Sequence, residues 1–203
     1  MINEKWVLLS ALLVFYGNST YAISTLRGKT KPNRVTWILW TFIPIIVIAG
    51  QIDQQVKWQV ILTLSAGISS FFVLLASLKS NKSYWKIRRL DYLCGLLSIL
   101  AILLWLITDN PNLAILLSIM ANFLAATPTI LKSIRYPRTE NYRAYSFASL
   151  SAIITLLTVN QWTFPTYSFS LYVLFTNGIL FLLIRFELGT KVINTTKRLI
   201  QFD

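Results

Sequence analysis

The sequence contains no histidine and one cysteine, Cys94. A single thiol excludes a disulfide within the chain. The lack of histidine removes the commonest metal ligand, and with it most zinc chemistry and imidazole acid–base catalysis. Charge is scarce as well: 13% of the residues are charged, where a soluble domain carries roughly a quarter. No phosphate-binding loop, nucleophile elbow or zinc-protease signature occurs. The expectation is therefore a protein with no catalytic residues, no metal site and no cofactor, and not an enzyme.

Apolar residues fill that space. They make up 55% of the 203 residues, and mean hydropathy is +0.60. They form charge-free runs of the length a bilayer demands, about 17–25 residues per helix. The runs are Trp6–Leu26, Val35–Ile52, Trp58–Leu78, Tyr92–Thr108 and Asn110–Leu131. The stretch from Ala144 to Ile184 is too long for one helix, and its polar residues Asn160 to Thr163 and Pro165 break it into spans at about 144–160 and 166–185. The first run has basic residues after it rather than before it, which points to a retained helix and not a cleaved signal.

The net charge of +12 would suggest nucleic acid in a soluble chain. Here all but two of the 19 basic residues fall in alternate connectors and the tail. Arg27, Lys29, Lys31 and Arg34 follow the first run. Lys79, Lys82, Lys86, Arg88 and Arg89 follow the third, and Lys132, Arg135, Arg138 and Arg143 the fifth. Arg185, Lys191, Lys197 and Arg198 follow the last, and only Lys5 and Lys57 lie opposite. The positive-inside rule then predicts seven spans in the plasma (inner) membrane, N-terminus outside and C-terminus cytoplasmic, with no nucleic-acid partner. Trp6, Trp58, Trp105 and Trp162 fall at outer ends, and Trp37, Trp40 and Trp85 at inner ends, where tryptophan anchors to the headgroups.

A weak internal repeat links the two ends of the chain. A shift of about 105 residues places Leu26, Arg27 and Pro32 on Leu131, Lys132 and Pro137. Either basic, proline-containing loops resemble each other by composition, or spans one to three correspond to spans five to seven. The second reading gives an all-α integral membrane protein with two parallel three-helix bundles joined by a linker helix, 3+1+3. Residues 1–80 form the first repeat, 81–109 the linker, 110–186 the second repeat and 187–203 a cytoplasmic tail. With that organisation, and with Ala126-Thr-Pro128-Thr-Ile-Leu-Lys132 as a proline segment one turn before a basic inner end, the chain resembles the SWEET and PQ-loop transporters. Thr129 follows Pro128 where the family pattern has glutamine, and Ile23 stands at the matching position of the first repeat.

No Asp, Glu, Lys or Arg lies in the middle of a span: Asp53, Asp91, Asp109, Glu140 and Glu187 all fall near ends. Proton relays and ion paths use such groups, so their absence predicts an uncoupled process and a neutral ligand. What polarity there is inside is uncharged. Asn18, Asn122 and Asn177 lie near mid-depth in the first, fifth and seventh spans, and Ser69 in the third. These side chains either bond helix to helix or share a polar cavity. Gly178 beside Asn177 would let a backbone or ligand approach. Pro44 and Pro128 interrupt the helical hydrogen-bond ladder, as static kinks or, as the resemblance implies, as hinges. The sequons at Asn18, Asn81 and Asn194 fall inside a span or on the cytoplasmic side and are expected to stay unmodified. The expected function is facilitative transport of a small neutral polar solute, with a sugar implied by the resemblance. The alternative is a non-transporting receptor or assembly protein that binds a partner through its basic loops. Membrane lipids are expected partners in both cases, and a homo-oligomer is left open.

Overall fold

The computed structural model describes residues 2–80, 85–107 and 110–193, and the side chains of all of these but 101, 102, 105 and 106. The Trp105 anchor, Lys82, Asp109, the sequons at Asn81 and Asn194, and the basic residues Lys197 and Arg198 of the tail fall outside the described residues. Among the described residues all regular structure is helical. A short 3-10 turn, Glu4–Trp6, leads into α1 (Val7–Leu26). There follow α2 (Arg34–Asp53), α3 (Val60–Lys79), α4 (Arg89–Leu106), α5 (Pro111–Arg135), α6 (Tyr142–Leu157) and α7 (Phe164–Arg185).

Local chemistry sets the helix starts. Asn33, Asn110 and Asn141 cap α2, α5 and α6, each with its side-chain oxygen accepting from backbone N–H groups of the first turn. Pro111 and Pro165 sit in first turns, where their missing N–H costs nothing. The largest departure from the apolar runs is at the end of α5. α5 continues past Leu131 to Arg135, because Lys132 is buried and paired rather than exposed in a loop.

Polarity is inverted relative to a soluble bundle. The outer surface is Leu, Ile and Phe, with Leu12, Phe42, Ile45 and Phe175 all more than half exposed. Ser10, Ser65, Ser69, Ser118, Ser151 and Thr155 are buried between helices. In water that arrangement would expose a large apolar area without return; in hydrocarbon that surface meets lipid chains. Five helices are long and apolar enough to cross a membrane: Glu4–Leu26, Arg34–Asp53, Val60–Lys79, Pro111–Arg135 and Phe164–Arg185. The protein is a multi-pass integral membrane protein.

The helices form a ring. α3 packs between α1 and α2, and α7 packs between α5 and α6. Two seams close the ring, α1 on α6 and α2 on α5, and α4 lies outside against α5 and α2. Both seams are close. A Cβ added at Gly17 would stand 2.9 Å from the Phe147 Cβ, and one at Gly50 would stand 2.9 Å from the Ile115 Cγ1. Buried hydroxyls tie the same seams: Ser151 donates to the Ser10 carbonyl at 2.7 Å, and Thr36 donates to the Ala125 carbonyl at 2.7 Å.

Helix ends sort onto two faces. On one, the Lys31 N–H donates to the Thr139 carbonyl at 2.9 Å and the Trp85 N–H to the Pro32 carbonyl at 3.1 Å. This face gathers the described basic connectors. On the other, Gln51 bridges the Thr63 hydroxyl and the Pro165 carbonyl, and Asn160 donates to Glu4 at 2.8 Å.

Candidate functional site: a polar and aromatic cavity inside the ring

The centre of the ring is not filled. A cavity of about 50 Å³ is lined by Val14 and Asn18 of α1, Trp37, Trp40 and Pro44 of α2, and Ala66 and Ser70 of α3. Asn122 of α5, Tyr145 and Ala148 of α6, and Phe169, Tyr172, Val173 and Asn177 of α7 complete the wall. Every ring helix contributes, and no described side chain of α4 does. A water needs ~10–15 Å³ of such space, so the cavity holds a few waters and is smaller than a sugar ring.

The three asparagines singled out in the sequence therefore meet at one place. Their amides are used differently. Asn18 Nδ2 donates across to Ser69 Oγ at 2.8 Å, and the Ser69 hydroxyl in turn donates to the Ala66 carbonyl at 3.3 Å. Asn122 and Asn177 donate back along their own helices, to the Ser118 carbonyl at 3.3 Å and the Val173 carbonyl at 2.9 Å. A carbonyl can only accept, so each of these bonds fixes which end of the amide is nitrogen. The three amide oxygens accept no hydrogen bond from the described residues. Ser69 supports Asn18 from behind, and its neighbour Ser70 lines the wall.

The remaining wall is aromatic. Trp37 and Trp40 cross at 5.2 Å with an interplanar angle of 81°. Trp37 is 1% exposed, and its ring N–H is buried without a partner among the described residues. The Trp40 ring N–H donates to the Asn122 carbonyl at 3.4 Å. These positions correct the expectation of headgroup anchors: α2 turns both rings inward. Trp6 and Trp162, by contrast, are more than half exposed, on the face opposite the basic connectors. Pro44 also faces the cavity and leaves the Trp40 carbonyl without its helical donor. Pro128 lies elsewhere, buried beside the start of α4. Gly178 is not required for close approach, since a Cβ there would meet only Ser149 Oγ at 4.0 Å.

The end of the cavity toward the basic connectors rests on a charged cluster. Tyr145, in the wall, and Tyr21, packed on Trp37 at 4.8 Å, both donate to one oxygen of Glu140, at 2.8 and 2.6 Å. The other oxygen pairs with Lys132, whose ammonium also reaches the Lys31 carbonyl. The Lys132 and Glu140 side chains are 1% and 0% exposed. The sequence places both residues in a connector and carries no sign of their burial. The aromatic wall did leave a signal: Trp37, Trp40 and Pro44 share one helical face, as do Phe169, Tyr172 and Val173 with Asn177 nearby. Toward the opposite face, Val14, Val47, Leu62, Ala152 and Phe169 pack together.

A larger hollow between α5 and α7 is walled by Leu116, Met120, Phe123 and Phe175 and offers almost nothing polar. Among the described residues no cluster of acidic and cysteine side chains could hold a metal ion. Comparison with family models, with curated proteins and with solved structures finds no match. What the geometry itself defines is a multi-pass helical membrane protein with a small polar and aromatic cavity at the centre of a six-helix ring.

Proposed function

We propose that the protein is a facilitative transporter of a small neutral polar solute, with a sugar or similar polyol as the leading class. The observation that carries this reading is the convergence of Asn18, Asn122 and Asn177, from three helices, on one aromatic-walled cavity with their amide oxygens unpaired. Unpaired acceptors between indole and phenol rings suit a ligand that donates hydroxyl protons and shows C–H faces.

The proposed scaffold is seven spans, N-terminus outside, arranged 3+1+3. The neighbour order supports it: α1, α2 and α3 relate to each other as α5, α6 and α7 do, and the α1–α6 seam corresponds to the α5–α2 seam. That is the pattern of two parallel units about an axis along the membrane normal, as the SWEET and PQ-loop resemblance implies. α4 is then the linker. Alternating access would open the ring at one end or the other along the two seams. The present form is closed inward by Tyr21, Tyr145, Glu140 and Lys132, and its cavity must widen to admit a solute. Pro44, on the wall, is the hinge placed to do so; Pro128 would act at the inner end of α5.

Flux would be downhill. Glu140 is neutralised by Lys132 and held by two phenols, so it serves as a latch rather than a proton carrier. The test is uptake in proteoliposomes against a panel of neutral solutes, with and without a protonophore. Saturable uptake of a hydroxylated solute, indifferent to protonophore, is expected. Absence of flux for every neutral solute, or accumulation that collapses with protonophore, would remove the proposal.

A further inference from the structure

A second hollow lies outside the ring, at the basic face, where α4 begins and α5 ends side by side. It has a volume of about 390 Å³ and opens beside exposed Leu90 and Leu131. Its membrane side is apolar, with Pro128 and Leu131 on α5. Its outer rim is Trp85, Arg88, Arg135 and Tyr136. Pro128 and Arg135 are two helical turns apart, ~10 Å along α5. The wall therefore changes from apolar to cationic at the depth where a lipid changes from acyl chain to phosphate.

The charges on this rim are uncommitted. The Arg88 guanidinium stacks over the Trp85 ring at 5.0 Å and makes no ion pair among the described residues. Arg135 is exposed, and no described residue pairs with its side chain. Lys132 lies over the same Trp85 ring at 5.1 Å but is held by Glu140. Asp91 is the one acidic residue in the wall, and both its oxygens are taken, one by the Asn33 amide and one by the Arg88 backbone N–H. The groove thus presents two cations without ion-pair partners among the described residues, an apolar slot above them, and the buried Asp91 carboxylate, whose two hydrogen-bond donors are neutral.

We propose that this groove binds an anionic phospholipid of the inner leaflet, its phosphate between Arg88 and Arg135 and an acyl chain along Leu131 and Pro128. A basic pocket between helices at the cytoplasmic side has the chemistry for such a headgroup. The apolar slot selects a lipid over a soluble phosphate. The inference depends on the membrane orientation proposed above and not on solute flux, so either can fail without the other.

The test is native mass spectrometry of the full chain in detergent, titrated with phosphatidylglycerol or phosphatidylcholine. One phosphatidylglycerol is expected to be retained in preference to phosphatidylcholine. In the pair R88Q/R135Q that retention should fall about thirtyfold, the loss of two cations near a lipid phosphate. The control pair R27Q/K29Q removes two exposed charges on the same face and should leave retention unchanged. All four residues are exposed, so neither pair is expected to move the unfolding midpoint. Equal retention of the two lipids, or unchanged retention in R88Q/R135Q, would overturn the site. An equal loss in R27Q/K29Q would reduce it to diffuse attraction. Displacement of the lipid by soluble glycerophosphate would make the occupant a free anion instead.

Discussion

Asn177 and Asn18 look alike in the sequence, each an amide near mid-depth of an apolar helix. The structure separates them. Asn177 is half-buried and bonds only to the carbonyl one turn earlier on α7, so it joins nothing to anything. Asn18 reaches Ser69 on α3 and so ties two helices. Asn177→Leu is therefore expected to keep the unfolding midpoint in detergent while abolishing most solute uptake. Asn18→Leu should lower stability by about 0.6–2 kcal/mol, the range for a polar contact between membrane helices, and lower uptake as well. Normal uptake by purified Asn177→Leu in proteoliposomes would take Asn177 out of the site.

The α1–α6 and α2–α5 seams occupy corresponding places but resist change differently. A Cβ at Gly17 would also lie 3.1 Å from the Ala144 carbonyl, which is backbone and cannot swing away. At Gly50 the nearest atom is the Ile115 Cγ1 at 2.9 Å, and the nearest backbone atom, the Pro111 carbonyl oxygen, stands farther off at 3.4 Å. Gly17→Ala is expected to destabilise by ~1–3 kcal/mol, as overpacking does, and Gly50→Ala by less. Thermal unfolding of both proteins in one detergent gives the order, and a reversed order would contradict the seam geometry. The inner ends of these helices depend on the Lys132–Glu140 pair. Removing one partner of a buried ion pair costs about 3–5 kcal/mol, because the other charge is left without compensation. Lys132→Met and Glu140→Gln should each fall in that range. The double variant should recover part of the loss, which a double-mutant cycle measures. If these groups latch the inner end, Glu140→Gln should also speed thiol labelling of a cysteine at Ala148 from the cytoplasmic side.

At the scale of the whole molecule, the faces of the ring differ in charge, and charge sets membrane orientation. Cysteines introduced at Asn160 and Lys29, both exposed and on opposite faces, are expected to label from outside and only after permeabilisation, respectively. Labelling of position 29 in intact cells would invert the orientation. Cys94 is buried and should not interfere.

Much of this protein is legible in its residues alone. Scarce charge and long apolar runs determine a multi-pass membrane protein, because an unpaired charge or an open backbone group is too costly in hydrocarbon. Turn chemistry marks the helix starts, since Asn and Pro act through neighbours within one helical turn. Mid-depth polarity marks the amides of the cavity for the same local reason. The ring order, the inward turn of Trp37 and Trp40, and the burial of Lys132 with Glu140 came only from the tertiary structure. In water, an apolar stripe tells which side of a helix faces the core. In a bilayer both sides are apolar, so a tryptophan reads equally well as a lipid anchor or a cavity wall. Lys132 and Glu140 stand eight residues apart across the turn at Pro137, and what buries them is Tyr21, Lys31 and Tyr145. Two of those three lie more than a hundred residues away along the chain, and only folding brings them close.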